Sequence, residues 1–308
     1  MSTYLVTQAT GQQAQWAITS LLESNAKIHA VVRDPSKTLP SVLSHPNVTI
    51  YKGDSLDFDS IYKAAQGCTA AFLNTYMIPG IENQQAKAIC AATKKAGIKT
   101  LVACTTFFAG SKSLWDNDGT KEMGLYVYFS GKSEVEDIVR SAGFEAYTIL
   151  RPAFIHFNYF TPNVLGNFPE LTTEATLYHM YDDDEARMPH TAGETIGKYV
   201  AAALQDPAKF GGAEIELGHE YLTVKEARDI IAKASGRDIQ VKQIPPEDRD
   251  AAVEAVFARR FHLWVNASDF SSGQAGVNAT QEKYGIPFTS LAETFEKEAA
   301  RLAETLSN

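Results

Sequence analysis

Cysteine is scarce in this chain of 308 residues, which contains only Cys68, Cys90 and Cys104. No CxxC pair and no zinc-ligand spacing occurs, so neither a disulfide framework nor a metal site is expected. The acidic run at 182–185 lacks the spaced ligands and the turn glycine of a calcium loop, and we interpret it as a solvated loop. The low cysteine content indicates a reducing compartment, and we expect the cytoplasm.

Positive charge is also in deficit, because the formal net charge is −9. The densest basic pairs, Lys94–Lys95 and Arg259–Arg260, are short and lie in predicted helices, so no nucleic-acid partner is expected. No apolar run approaches the roughly 20 residues that span a bilayer, and no membrane partner is expected. The first predicted strand begins almost at the first residue, which leaves no room for a signal peptide.

What the chain does contain is enough apolar sequence for a large core, 44% of residues, arranged as alternating strands and helices over the first 155 residues. Short, continuous apolar runs are typical of buried parallel strands. The predicted strands are 4–7, 28–33, 48–52, 70–75, 100–105 and 147–151. The helices between them are 12–23, 57–66, 82–96 and 133–142. This alternation predicts an α/β fold with a Rossmann-type, doubly wound parallel sheet.

The regular pattern ends after Arg151. Residues 154–189 are rich in aromatic residues, Asn, Asp and Pro and show no clear period. Later elements are predicted as helices at 193–204, 224–235, 246–262 and 290–307, with strands at 213–217 and 239–244. Thr223 and Glu226 form a predicted capping box at the start of one helix. We therefore predict a Rossmann-type domain (1–153 with 191–218) and a smaller α+β lobe (154–190 with 219–308).

The stretch YLVTQATGQQA at 4–14 has the layout of a dinucleotide-binding turn, in which a helix N-terminus faces a diphosphate. The pattern G-x-x-G-x-x-G falls on Gln8, Gly11 and Ala14. Backbone N–H groups of Thr10, Gly11 and Gln12 are the expected phosphate donors, since a side chain at Gly11 would block close approach. Gln8 must either turn with ordinary backbone angles or accept strain. An ordinary strand–helix turn without a ligand is the alternative.

Two strand ends suggest which dinucleotide binds. Arg33 ends the second strand, where an acidic residue selects NAD and an arginine accommodates a 2′-phosphate; Lys37 lies close enough to assist. Asp54 follows the third strand and is a candidate acceptor for the adenine amino group. The alternatives are a solvated charge at Arg33 and a helix N-cap at Asp54. Together with Gly11 these residues indicate NADP(H).

At this point the chain resembles the NmrA-like family, an atypical branch of the short-chain dehydrogenase/reductases. The resemblance covers nearly the whole length, and its most specific parts follow the glycine turn. The matching stretches are VTQATGQQA (6–14), VVRDP (31–35), GDSLD (53–57), YFSGKSEVE (128–136), YTILRPAFIHFN (147–158) and SGRDIQV (235–241).

The resemblance implies a Rossmann domain that binds NADP(H) and a smaller substrate lobe. The family that it points to includes reductases, redox-sensing regulators that bind dinucleotide without turnover, and biosynthetic relatives that cyclise or reduce small molecules. It places the functional lysine at Lys132, and Phe154 and Asn158 at the border of the nicotinamide and the substrate. Its cofactor contacts fall on Gly11, Gln12, Arg33, Asp54, Ser55, Thr105 and Lys132.

Tyr128 and Lys132 form Y-x-x-x-K, a spacing that places both side chains on one helical face. In short-chain dehydrogenases the ammonium lowers the tyrosine pKa so that the phenol exchanges a proton near neutral pH. Tyr128 is therefore a candidate proton donor, although the NmrA-like branch generally lacks this tyrosine and a packing role is the alternative. Thr105 and Thr106 end the fifth strand, where a threonine hydroxyl can hydrogen-bond a substrate carbonyl or satisfy local backbone; Thr105 is the candidate we select.

The irregular segment adds aromatic and histidine side chains, and His156, Asn158 and Tyr159 are candidate substrate contacts. Such a segment suits a flat organic substrate. Our leading hypothesis is an NADPH-dependent reductase of a small aromatic or polycyclic metabolite, acting as a monomer or homodimer. A redox-sensing regulator that docks onto a regulatory protein, and a non-redox cyclase or isomerase, are the alternatives.

Overall fold

The computed structural model describes residues 2–36, 40–76, 78, 80–268 and 271–307. No helix in that part of the chain is long and apolar enough to cross a membrane. The chain divides into two compact units. The first unit comprises Met1–Lys112, Val127–Pro152 and Gly193–Glu216, and the second comprises Ser113–Tyr126, Ala153–Ala192 and Leu217–Asn308. The segment 113–126, which the sequence analysis assigned to the first domain, belongs to the second unit.

The strands are short, and most belong to one central sheet. They are β1 (Thr3–Val6), β2 (Lys27–Val32), β3 (Val48–Lys52), β4 (Ala70–Leu73), β5 (Thr100–Cys104), β6 (Ala146–Pro152), β7 (Phe154–Ile155), β8 (Thr176–His179), β9 (Met188–Thr191), β10 (Ala213–Leu217), β11 (Glu220–Leu222) and β12 (Gln240–Gln243). The seven-stranded sheet has the order β10-β6-β5-β4-β1-β2-β3. The five strand pairs from β3 to β6 are all parallel. This confirms the predicted doubly wound Rossmann-type fold.

The helices connect and cover these strands. They are α1 (Gln12–Glu23), α2 (Phe58–Ala65), α3 (Ile81–Lys95), α4 (Lys112–Trp115), α5 (Asp118–Glu122), α6 (Tyr126–Ser141), α7 (Glu170–Glu174), α8 (Gly193–Gln205), α9 (Pro207–Phe210), α10 (Val224–Ser235), α11 (Arg249–Ala255), α12 (Arg260–Asn266), α13 (Ser271–Tyr284), α14 (Leu291–Lys297) and α15 (Ala299–Thr305). The capping box predicted at Thr223 and Glu226 is confirmed, and α10 ends at Gly236 with φ of 67°.

The core of the first unit lies on both faces of its sheet. All residues of β4 and β5 are buried, and Ile61, Leu73 and Ile89 belong to one apolar cluster between sheet and helices. Helix α8 approaches α1 closely at Gly197, where a Cβ atom would lie 2.4 Å from the carbonyl oxygen of Trp16. A glycine at this position therefore allows the two helices to pack this closely.

The second unit departs from the predicted elements in several places. The segment 154–190, expected to be irregular, contains β7, β8 and β9. These strands pair with distant segments, β8 with β12 and β9 with β11, so no local period marks them. The helix predicted at 246–262 is broken, because Val256 is extended with φ of −135° and ψ of 102°. The helix predicted at 290–307 divides at Glu298, and α13 was not predicted.

Candidate functional site

The turn between β1 and α1 is strained at Gln8, which has a left-handed φ of 51°. Such a conformation costs a non-glycine residue about 1–2 kcal/mol. The turn is closed by a hydrogen bond from the Gly11 N–H to the Gln8 carbonyl oxygen at 2.9 Å. Of the two possibilities raised by the sequence, the chain takes the strained one.

The Gln8 side chain is buried and explains how this strain is supported. Its Nε2 donates to Oε1 of Gln85 on α3 at 3.1 Å. The same Gln85 oxygen accepts the Tyr76 backbone N–H at 2.9 Å. A buried amide therefore ties the turn after β1 to the loop after β4. The sequence pattern contained no signal for this contact, because the partner lies 77 positions away.

Helix α1 begins with features that suit an anion. Its N-cap is Gly11 with extended backbone angles, no side chain caps it, and its first turn has no acidic residue. The N–H groups and the dipole of a helix start favour a phosphate. A Cβ atom at Gly11 would lie 3.2 Å from the Gln8 carbonyl oxygen, so a side chain there would be tight even without a ligand. Thr10, beside it, is exposed, and Gln12 is half-buried.

The ends of β2 and β3 lie at the same edge of the sheet. Arg33 is exposed, and its guanidinium carbon lies 4.6 Å from the centre of the Tyr76 ring. Asp54 accepts the Leu56 N–H through one carboxylate oxygen at 2.9 Å, whereas Asp57 is the N-cap of α2. The proposed alternative role of Asp54 as that helix cap is therefore wrong. Ser55 is buried, and Lys37 lies outside the described residues.

Lys132 on α6 forms a buried ion pair with Glu82 in the first turn of α3. Its Nζ donates to Glu82 Oε2 at 2.7 Å, and the side chains are only 8% and 4% exposed. The Thr75 hydroxyl donates to the same oxygen at 3.3 Å. Gly131 makes room for this carboxylate, since a Cβ atom there would lie 2.7 Å from Glu82 Oε1. The ammonium charge of Lys132 is thus neutralised within the protein.

Tyr128 lies in α6 and not in the loop before it, so Tyr128 and Lys132 are one helical turn apart. Its hydroxyl donates to Thr106 Oγ1 at 2.7 Å. Burial raises the pKa of Tyr128 to about 12. The expectation that Lys132 lowers this pKa toward neutrality is wrong, because burial dominates and the Glu82 carboxylate also raises it. Tyr128 stays protonated at neutral pH and acts as a hydrogen-bond donor.

The Thr105 hydroxyl is not available for the contact with a substrate carbonyl that the sequence suggested. Thr105 is buried, and its hydroxyl donates to Glu136 Oε1 at 2.7 Å, so the next residue, Thr106, is the one beside Tyr128. The Thr105 hydroxyl is therefore engaged within the protein, and the Thr106 hydroxyl is the one that meets Tyr128. Among the described residues, the Thr106 hydroxyl proton has no acceptor.

Glu136 belongs to a buried charge cluster that sequence reasoning missed. The carboxylate is fully buried and accepts two hydrogen bonds from Arg151, from Nε at 2.8 Å and from Nη2 at 2.7 Å. Arg151 also donates to Glu216 at 3.2 Å, and Glu216 accepts the Phe108 N–H at 3.0 Å. Burial raises the pKa of Glu216 to about 7. The cluster fixes the loop after β5 and hence the position of Thr106.

The predicted substrate contacts lie in the second unit, where most are buried. The His190 Nδ1 lies 2.7 Å from the Met188 carbonyl oxygen, so this nitrogen carries the proton. The other nitrogen, Nε2, accepts the Tyr159 hydroxyl at 2.9 Å. Burial lowers the pKa of His190 to about 4, so the ring is neutral at pH 7. Phe154, expected at the nicotinamide, packs edge-on against Tyr159 and His190.

His156 is completely buried. Its Nδ1 donates to Thr294 Oγ1 at 2.8 Å, because the Thr294 hydroxyl itself donates to the Ser290 carbonyl. The other nitrogen lies 3.7 Å from a Glu220 oxygen. Burial lowers the pKa of His156 well below its ordinary value. Asn158 accepts from Asn163 at 3.4 Å.

A small cavity of about 20 Å³ lies within the second unit. It has room for about one water molecule, which is far less than an organic substrate needs. His262 lines it, and the Nδ1 atom of that buried ring has no hydrogen-bond partner among the described residues. The aromatic lining includes Phe154, Tyr159, Phe168 and Tyr181. No group of three or more metal-ligating side chains occurs in the described part of the chain.

The sheet order, the strained turn after β1 and the start of α1 at Gly11 define a Rossmann-type α/β protein. The chain belongs to the NmrA-like family, whose sequence pattern matches residues 1–295. A curated relative is an NmrA-like family domain-containing oxidoreductase, ptmS, from Penicillium ochrochloron. It is 24% identical over 258 residues, covering 77% of this chain and 74% of the relative.

Solved structures share the fold at low identity. The negative transcriptional regulator NmrA superposes with a TM-score of 0.75 at 20% identity, covering 99% of this chain and 98% of that one. It has been solved with NAD and with NADP. The NADPH-dependent quinone oxidoreductase QOR2 from Escherichia coli, solved with NADPH, gives a TM-score of 0.72 at 21% identity. That match covers 96% of this chain and 99% of the enzyme.

Proposed function

We propose that this protein binds NADP(H) in its first unit and reduces a small aromatic or polycyclic metabolite at a C=O, C=C or C=N bond. One observation carries the proposal: Arg33 lies exposed at the end of β2, beside the phosphate turn, and forms no ion pair with any described residue. A guanidinium without a carboxylate partner is suited to bind a 2′-phosphate through two N–H groups. The names of an oxidoreductase relative and of a quinone oxidoreductase with the same fold support it.

The residues of the first unit fit such a cofactor. The start of α1, with Thr10, Gly11 and Gln12, would hold the diphosphate, and Arg33 would hold the 2′-phosphate. Asp54 has a second carboxylate oxygen for the adenosine. Bound NADPH supplies a hydride, and the protein supplies position and electrostatics.

The groups proposed to stabilise the reduced oxygen of the substrate are the hydroxyls of Thr106 and Tyr128. Tyr128 donates to Thr106 Oγ1, which leaves the Thr106 hydroxyl proton to point at a substrate oxygen. Charge that develops on that oxygen would be stabilised by the two hydroxyl groups in series. Lys132 adds less positive field than a free ammonium, since Glu82 offsets it at 2.7 Å.

Calorimetric titration with NADPH and NADH tests the cofactor assignment. We expect Arg33→Ala to weaken NADPH by about 10- to 100-fold, the effect of losing about 1.5–3 kcal/mol of charged hydrogen bonding, and to leave NADH nearly unchanged. Equal NADPH affinity in mutant and parent would contradict the 2′-phosphate site.

Turnover is measured separately as NADPH oxidation with a panel of quinones, enones, imines and triphenylmethane dyes. Consumption with at least one member supports a reductase. A Thr106→Val variant, which keeps the shape and loses the hydroxyl, is expected to lower kcat and to leave NADPH affinity intact.

A second candidate is an NADP(H)-binding regulator without turnover, and two observations favour it. The Lys132 charge is already paired with Glu82, and the pKa of Tyr128 is raised to about 12 by burial. Tight NADP(H) binding, no NADPH loss across the panel and a co-purifying regulatory protein would establish it. Product formation without NADPH loss would instead indicate a cyclase or isomerase.

A further inference from the structure

We propose that Tyr76 is a specificity-determining positioning residue that holds Arg33 for the 2′-phosphate, and that Gln85 and Gln8 hold Tyr76. This inference rests on the proposed function and adds three residues to it. The relevant geometry is one chain of contacts across the carboxyl edge of the sheet. It runs from the Gln8 amide through Gln85 to the Tyr76 backbone, and from the Tyr76 ring to the Arg33 guanidinium.

The orientation of both amides follows from one unambiguous donor. The Tyr76 backbone N–H can only donate, so the Gln85 atom 2.9 Å away is the amide oxygen. The Gln8 atom that faces this oxygen at 3.1 Å must then be the amide nitrogen. Gln85 is only 2% exposed and Gln8 is 9% exposed, so water cannot readily replace either partner. The loop after β4 is therefore fixed at Tyr76 by a buried acceptor.

Tyr76 in turn restricts an arginine that would otherwise be free. An exposed arginine has many side-chain rotamers, and much of that freedom is lost on binding a phosphate. The guanidinium carbon lies over the Tyr76 ring, 4.6 Å from its centre, and this contact gives the guanidinium no carboxylate partner. The ring thus limits the motion of Arg33 before the ligand arrives and leaves its donors available.

The same chain of contacts gives Gln8 a role that glycine could not fill. A glycine would adopt the φ of 51° at this position without strain, but it has no amide to donate to Gln85. Gln8 accepts backbone strain and gains a buried hydrogen bond. The phosphate turn after β1 and the arginine after β2 are consequently held by one network.

Titration of NADPH and NADH against four proteins tests this inference, with the ratio of the two dissociation constants as the readout. The proteins are the parent, Tyr76→Ala, Tyr76→Phe and Gln85→Leu. We expect Tyr76→Ala to lower the preference for NADPH about two- to fivefold with NADH affinity unchanged. Tyr76→Phe, which keeps the ring, should match the parent. Gln85→Leu, which loses the acceptor, should also lower the ratio.

A parental ratio in Tyr76→Ala overturns the inference, and so does an equal loss of both cofactors, which a merely structural role would produce. Arg33→Ala separates this failure from that of the proposed function. If Arg33→Ala abolishes the NADPH preference while Tyr76→Ala leaves it intact, the cofactor site stands and the positioning role does not. If the parent binds neither cofactor, both are wrong. Should Gln85→Leu fail to fold, the two Tyr76 variants decide alone.

Discussion

Breaking the buried pair between Lys132 and Glu82 is expected to destabilise the protein more than any surface ion pair. The two charged atoms are 2.7 Å apart, in side chains that are 8% and 4% exposed. At an effective dielectric constant of about 20, that separation corresponds to roughly 6 kcal/mol of attraction, offset by the desolvation of both groups. Removing one partner leaves the other buried and uncompensated, at a cost of about 3–5 kcal/mol in free energy of unfolding.

The two single variants and the double variant separate these contributions. Lys132→Met is expected to lower the free energy of unfolding by about 3 kcal/mol, because Glu82 keeps the Thr75 hydrogen bond and its place in the first turn of α3. Glu82→Gln is expected to lower the free energy of unfolding by about 4 kcal/mol, since a neutral amide leaves the ammonium uncompensated. The double variant contains neither charge and should lose about 2–3 kcal/mol less than the sum of the singles.

Urea unfolding of the four proteins, followed by far-ultraviolet circular dichroism and tryptophan fluorescence, measures these free energies. The exposed pair Lys99–Glu145, whose side chains are 68% and 67% exposed, is the control and should show no measurable coupling. Additive losses at Lys132 and Glu82, within about 0.5 kcal/mol, would refute the reasoning. The double-mutant cycle also bears on activity assays. Lys132→Met loses stability, which lowers turnover independently of any role of Lys132 in the chemistry.

Two further predictions concern buried charge and pH. Arg151→Met should lower the free energy of unfolding in urea by about 3–5 kcal/mol, because the fully buried Glu136 loses both hydrogen bonds from Arg151. The control Arg140→Met, at a side chain 31% exposed, should lower it clearly less. Equal losses in the two variants would contradict the role of Arg151. Burial lowers the pKa of His262 to about 3, so the unfolded chain takes up a proton below about pH 6.5 while the folded protein does not, and stability present above that pH is lost as the pH falls. Between pH 7.5 and 5, the free energy of unfolding of His262→Phe should therefore fall by about 2 kcal/mol less than that of the parent. Identical pH profiles would show that His262 takes up its proton equally in the folded and the unfolded protein.

The fold was predictable because its signals are local. Buried parallel strands are short apolar runs, and the six predicted in the first 155 residues correspond to β1–β6. The two residues of the capping box, Thr223 and Glu226, are three positions apart, so this motif needs no tertiary information. Strands β8 and β9 escaped prediction because their hydrogen-bond partners come from distant segments.

The chemistry of the site was only partly predictable. The positions of Arg33 and Gly11 followed from strand ends, since the carboxyl ends of parallel strands meet at one edge. The partner of Lys132 did not, because Glu82 lies 50 positions away and reads in sequence as an ordinary helix-start carboxylate. The choice between Thr105 and Thr106 depended on which hydroxyl turns toward Glu136, and two adjacent threonines give no sign of that.

The sequence by itself determined the order of strands and helices, the turn after β1 and the arginine after β2, because these depend on residues close together in the chain. Only the tertiary structure decided the electrostatics. Burial raises the pKa of Tyr128, Glu82 neutralises Lys132, and a buried amide of Gln85 joins Gln8 to Tyr76. Each of these depends on solvent exclusion and on distances between remote segments, which exist only once the sheet has formed and its helices are packed against it.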